Sequence, residues 1–136
     1  SEKITLISES IVSCVPGFVQ DAAKEALLAP IELTSEMYAA YRRRQLMFVK
    51  EFELTGVMQC NVPQGAMYIF PSIKDITNDS INFALHLLET TGIACVPGAF
   101  FGSNGEGHLR FSCAGVEEDI SGINELIRSA AELFEA

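Results

Sequence analysis

From Val116 to Phe134 the apolar residues Val116, Ile120, Ile123, Ile127, Ala130 and Phe134 recur in steps of 4, 3, 4, 3 and 4. Only an α-helix gathers that spacing onto one stripe, and the stripe needs a second layer to cover it. Just ahead of it, Leu109, Phe111 and Cys113 alternate with His108, Arg110 and Ser112. That is the period of a strand with one buried face and one more polar face. A strand feeding an amphipathic helix selects an α/β two-layer sandwich, and 136 residues allow one packed core.

The remaining chain fits that architecture. Phe18 to Leu28 has helical spacing and follows Pro16-Gly17, and Pro30 ends it, because a proline disfavours helix at the preceding residue. A long helix is expected near 34–54, capped by Thr34 or Ser35 and striped by Tyr38, Tyr41, Phe48, Val49 and Phe52. Its Arg42-Arg43-Arg44 run reads as a solvated face. Asn78 or Asp79 begins another helix, with Ile81, Leu85 and Leu88 inward and Gly92 as its left-handed stop. Short strands are expected at 57–60, 66–70, 93–96 and 107–113. They make a small mixed or antiparallel sheet of three to four strands packed on helices. The C-terminal helix is expected near 116–135, with Glu117, Glu118 and Asp119 in its first turn.

Composition excludes several function classes. With 49% hydrophobic and 20% charged residues the chain is globular rather than disordered. A net charge of −9 repels phosphate backbones, so no nucleic acid is expected as a partner. No apolar run reaches the ~18 residues that cross a bilayer, and no signal peptide is visible, so a cytoplasmic setting is expected without a membrane partner. Cys14, Cys60, Cys95 and Cys113 lack the short spacings of zinc sites, so no metal is expected and the cysteines read as buried free thiols.

The sequence contains no G-x-S-x-G elbow, no Cys–His pair and no phosphate-binding glycine loop. His86 sits among leucines and reads as a core-edge or surface histidine. Arg110 is the one Lys or Arg from Asp75 through Glu125, on the polar side of an apolar strand. Arginine suits bidentate capture of a carboxylate. On spacing alone, an exposed strand arginine remains the commoner outcome.

Five ordered motifs change that balance. Pro63-Gln64-Gly65-Ala66-Met67-Tyr68-Ile69-Phe70-Pro71 is similar to the P-x-G-A-[FM]-Y-x-[FL]-P stretch of class I/II aminotransferases, pyridoxal-phosphate enzymes of fold type I. Tyr41-Arg42-Arg43-Arg44 resembles that family's Y-x-x-R-R helix. Thr91 to Gly98, with Phe101-Gly102, resembles its G-[IV]-x-[VT]-x-P-G-x-x-F-G. Glu106 to Ser112 resembles the strand ending [HY]-[LIV]-R-[LIF]-[SA], and Ser13 to Gln20 a segment upstream of the small domain.

The resemblance spans the whole chain and implies the C-terminal, small domain of such an enzyme. Residues 1–30 are then a remnant of the large-domain side and 31–136 the small domain. The family places its substrate α-carboxylate on the arginine matching Arg110, beside a cleft-shaping loop at Pro97, Gly98, Phe101 and Gly102. The implied parent moves an amino group between an amino acid and a 2-oxo acid with pyridoxal phosphate, as a homodimer. The family's Schiff-base lysine matches none of Lys3, Lys24, Lys50 and Lys74. This chain is therefore expected to lack its large domain, to bind no cofactor by itself and to be inactive. A lyase or synthase of the same fold would share the same clamp, and an aminotransferase-like effector-binding domain of a transcriptional regulator is the alternative of a different class.

Overall fold

The computed structural model describes residues 2–12, 14–115 and 120–134. The chain divides into two compact units, Ser1–Glu36 and Met37–Ala136. In the first, α1 covers Glu2–Ile11 and α2 covers Gly17–Leu28, followed by a 3-10 turn at Ile31–Thr34. α2 stops where expected: Ala29, before Pro30, is extended at φ −64°, ψ 145°. None of the described residues in this unit is buried, and Ile4, Ile11, Phe18 and Leu27 are all more than 70% exposed.

The second unit holds nearly all of α3 (Ser35–Thr55), then β1 (Tyr68–Ile69), α4 (Ser80–Thr91), β2 (Val96–Pro97), β3 (Leu109–Ser112) and α5 (Ile123–Phe134). Its sheet is antiparallel in the order β1-β3-β2. The register pairs Tyr68 with Ser112, Ile69 with Phe111, Val96 with Arg110 and Pro97 with Leu109. The alternation seen in sequence is real: Ile69, Leu109, Phe111 and Cys113 face the core, while Tyr68, Arg110 and Ser112 occupy the other face. Phe48 and Phe52 of α3, Phe83 and Leu87 of α4, and Ile127, Ala130 and Ala131 of α5 complete that core. Phe52 meets Phe111 at 4.9 Å between ring centroids. The architecture is the expected two-layer sandwich.

Its strands are shorter than expected. Residues 57–60 contribute only a bridge, Gln59 to Ser72, and Ser72 bridges onward to His108. Three changes concern helices. α4 buries Ser80, Phe83, Ala84 and Leu87, whereas Ile81, Leu85 and Leu88 are 40%, 53% and 46% exposed. Both stripes have helical spacing, and the one carrying the bulkier Phe83 packs on the core. α4 keeps its expected ends: Asp79 Oδ1 accepts from the Asn82 N–H at 3.0 Å, and Gly92 adopts φ +76°. α5 begins at Ile123, behind Gly122 at φ +85°, so Ile120 precedes the helix. Val116 and the acidic run Glu117 to Asp119 lie outside the described residues, as does Ser13.

The arginine run is not a uniformly solvated face. Arg42 Nη1 donates to the Pro63 carbonyl at 2.7 Å, and Arg44 Nη1 to the Ala114 carbonyl at 3.1 Å. Cys14 is exposed and Cys60 and Cys95 are half-buried, so only Cys113 is the buried thiol expected of all four.

Candidate functional site

Arg110 stands mid-β3, opposite Val96 and diagonal to Tyr68, half-buried on the face away from Leu109 and Phe111. Its guanidinium carbon lies 4.4 Å from the Tyr68 ring centroid and 4.7 Å from that of Phe101. Each such contact is worth ~0.5–1 kcal/mol at an exposed site and ~2 when desolvated. Among the described residues, no hydrogen bond and no carboxylate engages this guanidinium. Glu106, the nearest acidic residue in sequence, spends its carboxylate on the Ser80 and Gly107 N–H groups at 2.8 and 3.0 Å. Those bonds, Ser80's foremost, hold the Glu106 carboxyl below its ordinary pKa. The rings fix the cation without consuming its donors.

Of the loop residues singled out in sequence, Phe101 lies against Arg110, and Pro97 and Gly98 contact the residues that precede it in the chain. Pro97 pairs with Leu109, and the Gly98 N–H donates to the His108 carbonyl at 2.8 Å. Gly98 to Phe101 forms a 3-10 turn, and Gly102 then takes φ +98°. A Cβ on Gly98 would collide with the Gly105 carbonyl, so this loop closes on itself only through glycine. The turn delivers Phe101 to Arg110. Phe101 also meets Phe70 edge-on at 5.9 Å, and Phe70 stacks on His108 at 5.1 Å.

An open cleft of about 480 Å³ lies at Phe70 and His108, walled also by Glu53, Cys60, Asn61 and Ser72. Burial, reinforced by Glu53, pushes the Cys60 thiol up to about 11. Glu53 in its wall disfavours a carboxylate in this cleft. His86 Nε2 lies 2.9 Å from the Ala130 carbonyl between α4 and α5, a structural contact. Among the described residues no cluster of His, Cys, Asp and Glu could hold a metal ion. No described helix is long and apolar enough to cross a membrane. Sequence reasoning missed Tyr68 as a brace, because its contact with Arg110 joins two strands far apart in the chain.

No family model matches the chain. A Bacillus subtilis protein, YugH, provisionally named an aminotransferase, is 41% identical over 108 residues, covering 79% of this chain and 28% of its own length. Among solved structures, an aromatic aminotransferase from Pyrococcus horikoshii superposes with a TM-score of 0.73 at 32% identity, over 98% of this chain and 34% of that one. An aspartate aminotransferase from Rhizobium meliloti gives a TM-score of 0.77 at 26% identity, over 93% of this chain and 34% of that one. The chain thus spans about a third of the length of the relatives it matches.

Proposed function

The chain belongs to the fold-type-I aminotransferases, and on that premise we propose that it supplies the arm that receives the substrate's carboxylate. Arg110 takes the α-carboxylate of an amino acid, and of the matching 2-oxo acid, through paired N–H donors. Tyr68 and Phe101 hold the guanidinium in place, and Pro97, Gly98, Phe101 and Gly102 shape the loop at its rim. The observation that carries this reading is a half-buried cation braced by two rings and engaged by no acceptor among the described residues. Burying a cation without a counter-charge costs stability, which a ligand carboxylate would offset.

The rest of the reaction belongs to the parent protein. Residues 1–30 belong to its large-domain side and 31–136 to its small domain, and the parent works as a homodimer in the cytoplasm. Pyridoxal phosphate supplies the electron sink there. Tyr68, Phe101 and Val96, the residues gathered at Arg110, include neither an amine to bond the cofactor nor a carboxylate for its pyridine nitrogen. The residues present do not fit the cofactor, and this chain alone does not transaminate. Orientation by Arg110 lowers a barrier only where the reacting group is present.

The test is Arg110→Lys in the full-length parent. An ammonium offers a point charge where a planar fork makes two bonds. The expected loss is ~1.5–3 kcal/mol, or roughly 10- to 150-fold in kcat/KM, with the fold retained. Unchanged kcat/KM would refute the assignment.

A further inference from the structure

The loop entering β1 carries an uncommon backbone. Ala66 has φ +61°, the one non-glycine residue with positive φ among those described. A residue with a Cβ pays for that conformation, so something must hold it. Two residues later comes Tyr68, the ring against Arg110.

Gln45 of α3 is placed to hold it. Its side chain is buried at 3% exposure, on the face that also carries Phe48, Val49 and Phe52. Gln45 Nε2 donates to the Ala66 carbonyl at 2.7 Å and to the Gly65 carbonyl at 3.3 Å. Gln45 Oε1 accepts from Arg42 Nη1 at 3.4 Å, which also donates to the Pro63 carbonyl at 2.7 Å. Both ends of the amide are used, and Arg42 fixes which end points at the loop. From the other side, the Cys113 N–H and Sγ donate to the Met67 carbonyl at 2.9 and 3.1 Å. The carbonyls of Gly65, Ala66 and Met67 are therefore tied in sequence, immediately before Tyr68.

A buried amide beside Phe48, Val49 and Phe52 is costly unless it does something an apolar side chain could not. We propose that Gln45, oriented by Arg42, is a positioning residue for Arg110. It locks the left-handed Ala66 turn, and the locked turn presents the Tyr68 ring to the guanidinium. The functional meaning rests on Arg110 as the carboxylate receiver; the positioning itself does not.

The experiment reads Arg110 directly, in the 136-residue chain without ligand. A guanidinium over a ring is shielded by it, so the Arg110 Nε–Hε resonance reports the Tyr68 contact, and Tyr68→Leu calibrates its share. Gln45→Leu should displace the resonance in the same direction and abolish Overhauser contacts between the Tyr68 ring and the Arg110 δ-methylene. Adding Ala66→Gly should restore both, because glycine adopts the left-handed turn unaided. Gln45→Asn, too short to reach both carbonyls, should behave as Gln45→Leu and serves if the latter does not fold. A variant that melts earlier but leaves the Arg110 signals in place would overturn the proposal, as would failure of Ala66→Gly to restore them. Adding 2-oxoglutarate to the unaltered chain tests the other reading separately. An unmoved Arg110 resonance there would count against carboxylate binding, while the Gln45 result is read without it.

Discussion

Gly98→Ala tests whether the loop beside Arg110 is held by direct backbone contact. The φ of Gly98 lies outside the left-handed region, so an added methyl is not strained by its own backbone. The cost is steric. The new Cβ would overlap the Gly105 carbonyl and sit 2.6 Å from the His108 oxygen, about 0.8 Å short of ordinary contact at 3.4 Å. All its near neighbours are backbone atoms, so no side chain can swing aside. Overpacking of this kind costs ~1–3 kcal/mol. Separating the strands also breaks the bond from the Gly98 N–H to the His108 carbonyl, adding ~0.5–1.5 kcal/mol. The sum is about 1.5–4.5 kcal/mol, a large part of a domain's net stability of ~5–15 kcal/mol. In urea the midpoint should fall by about 1–2 M. Gly102→Ala is the first control. It meets open space but sits at φ +98°, ψ 174°, a region essentially reserved for glycine, so its cost is conformational alone, ~1–3 kcal/mol. Gly65→Ala is the second, with nothing within 4 Å and no positive φ. It should be neutral or stabilising by up to ~1 kcal/mol. A Gly98→Ala midpoint no lower than that of Gly65→Ala would refute the close-approach argument.

Glu106→Gln should destabilise the chain in a pH-dependent way. The Glu106 pKa is depressed below 4.5 in the fold, so its contribution is complete above that value and lost as pH falls through the folded pKa. The gap in melting temperature between Glu106→Gln and the unaltered chain should be full at pH 7 and close on acidification below about 4.5; an equal gap at pH 3 would contradict it. Alkylation should separate the cysteines. Burial pushes the thiols of Cys60 and Cys95 up to about 11, so at pH 8 only about a thousandth of each is thiolate. Exposed Cys14 should label first by mass spectrometry with iodoacetamide, and rapid labelling of Cys95 at pH 8 would refute the burial argument.

The legible parts of the fold are those decided within one turn or one strand. Asp79 caps α4, Gly92 stops it and Pro30 ends α2, because each acts on backbone within four residues of itself. The choice between two helical stripes of α4 was not local. Ile81, Leu85 and Leu88 are as regularly spaced as Phe83, Ala84 and Leu87, and only packing against the sheet and α5 selects the second set. The start of α5 shifted for a similar reason. The apolar repeat runs on through Ile120, but Gly122 at φ +85° breaks the helix that the repeat alone would extend. The arginine run was misread because its partners, the carbonyls of Pro63 and Ala114, are loop groups that no periodicity announces.

The same division runs through the candidate site. Arg110 was visible because strand alternation put a lone cation on the polar side of a strand whose other face is core. Its braces come from separate parts of the chain, Tyr68 across the sheet and Phe101 from the glycine turn. Rings rather than carboxylates hold it, and that choice matters chemically. A carboxylate brace would occupy the N–H donors and cancel the charge, leaving little to offer a ligand. A ring attracts the cation through its quadrupole and leaves the donors unused. The attraction is weak and falls off as the ring moves, so the ring must be placed by something stronger than its own contact. Hydrogen bonds to the carbonyls of Gly65, Ala66 and Met67 supply that placement, from Gln45 on one side and Cys113 on the other. A buried glutamine on an apolar helix face thus belongs to the economy of the arginine, and a polar residue within a hydrophobic stripe is the sequence signal that marks it.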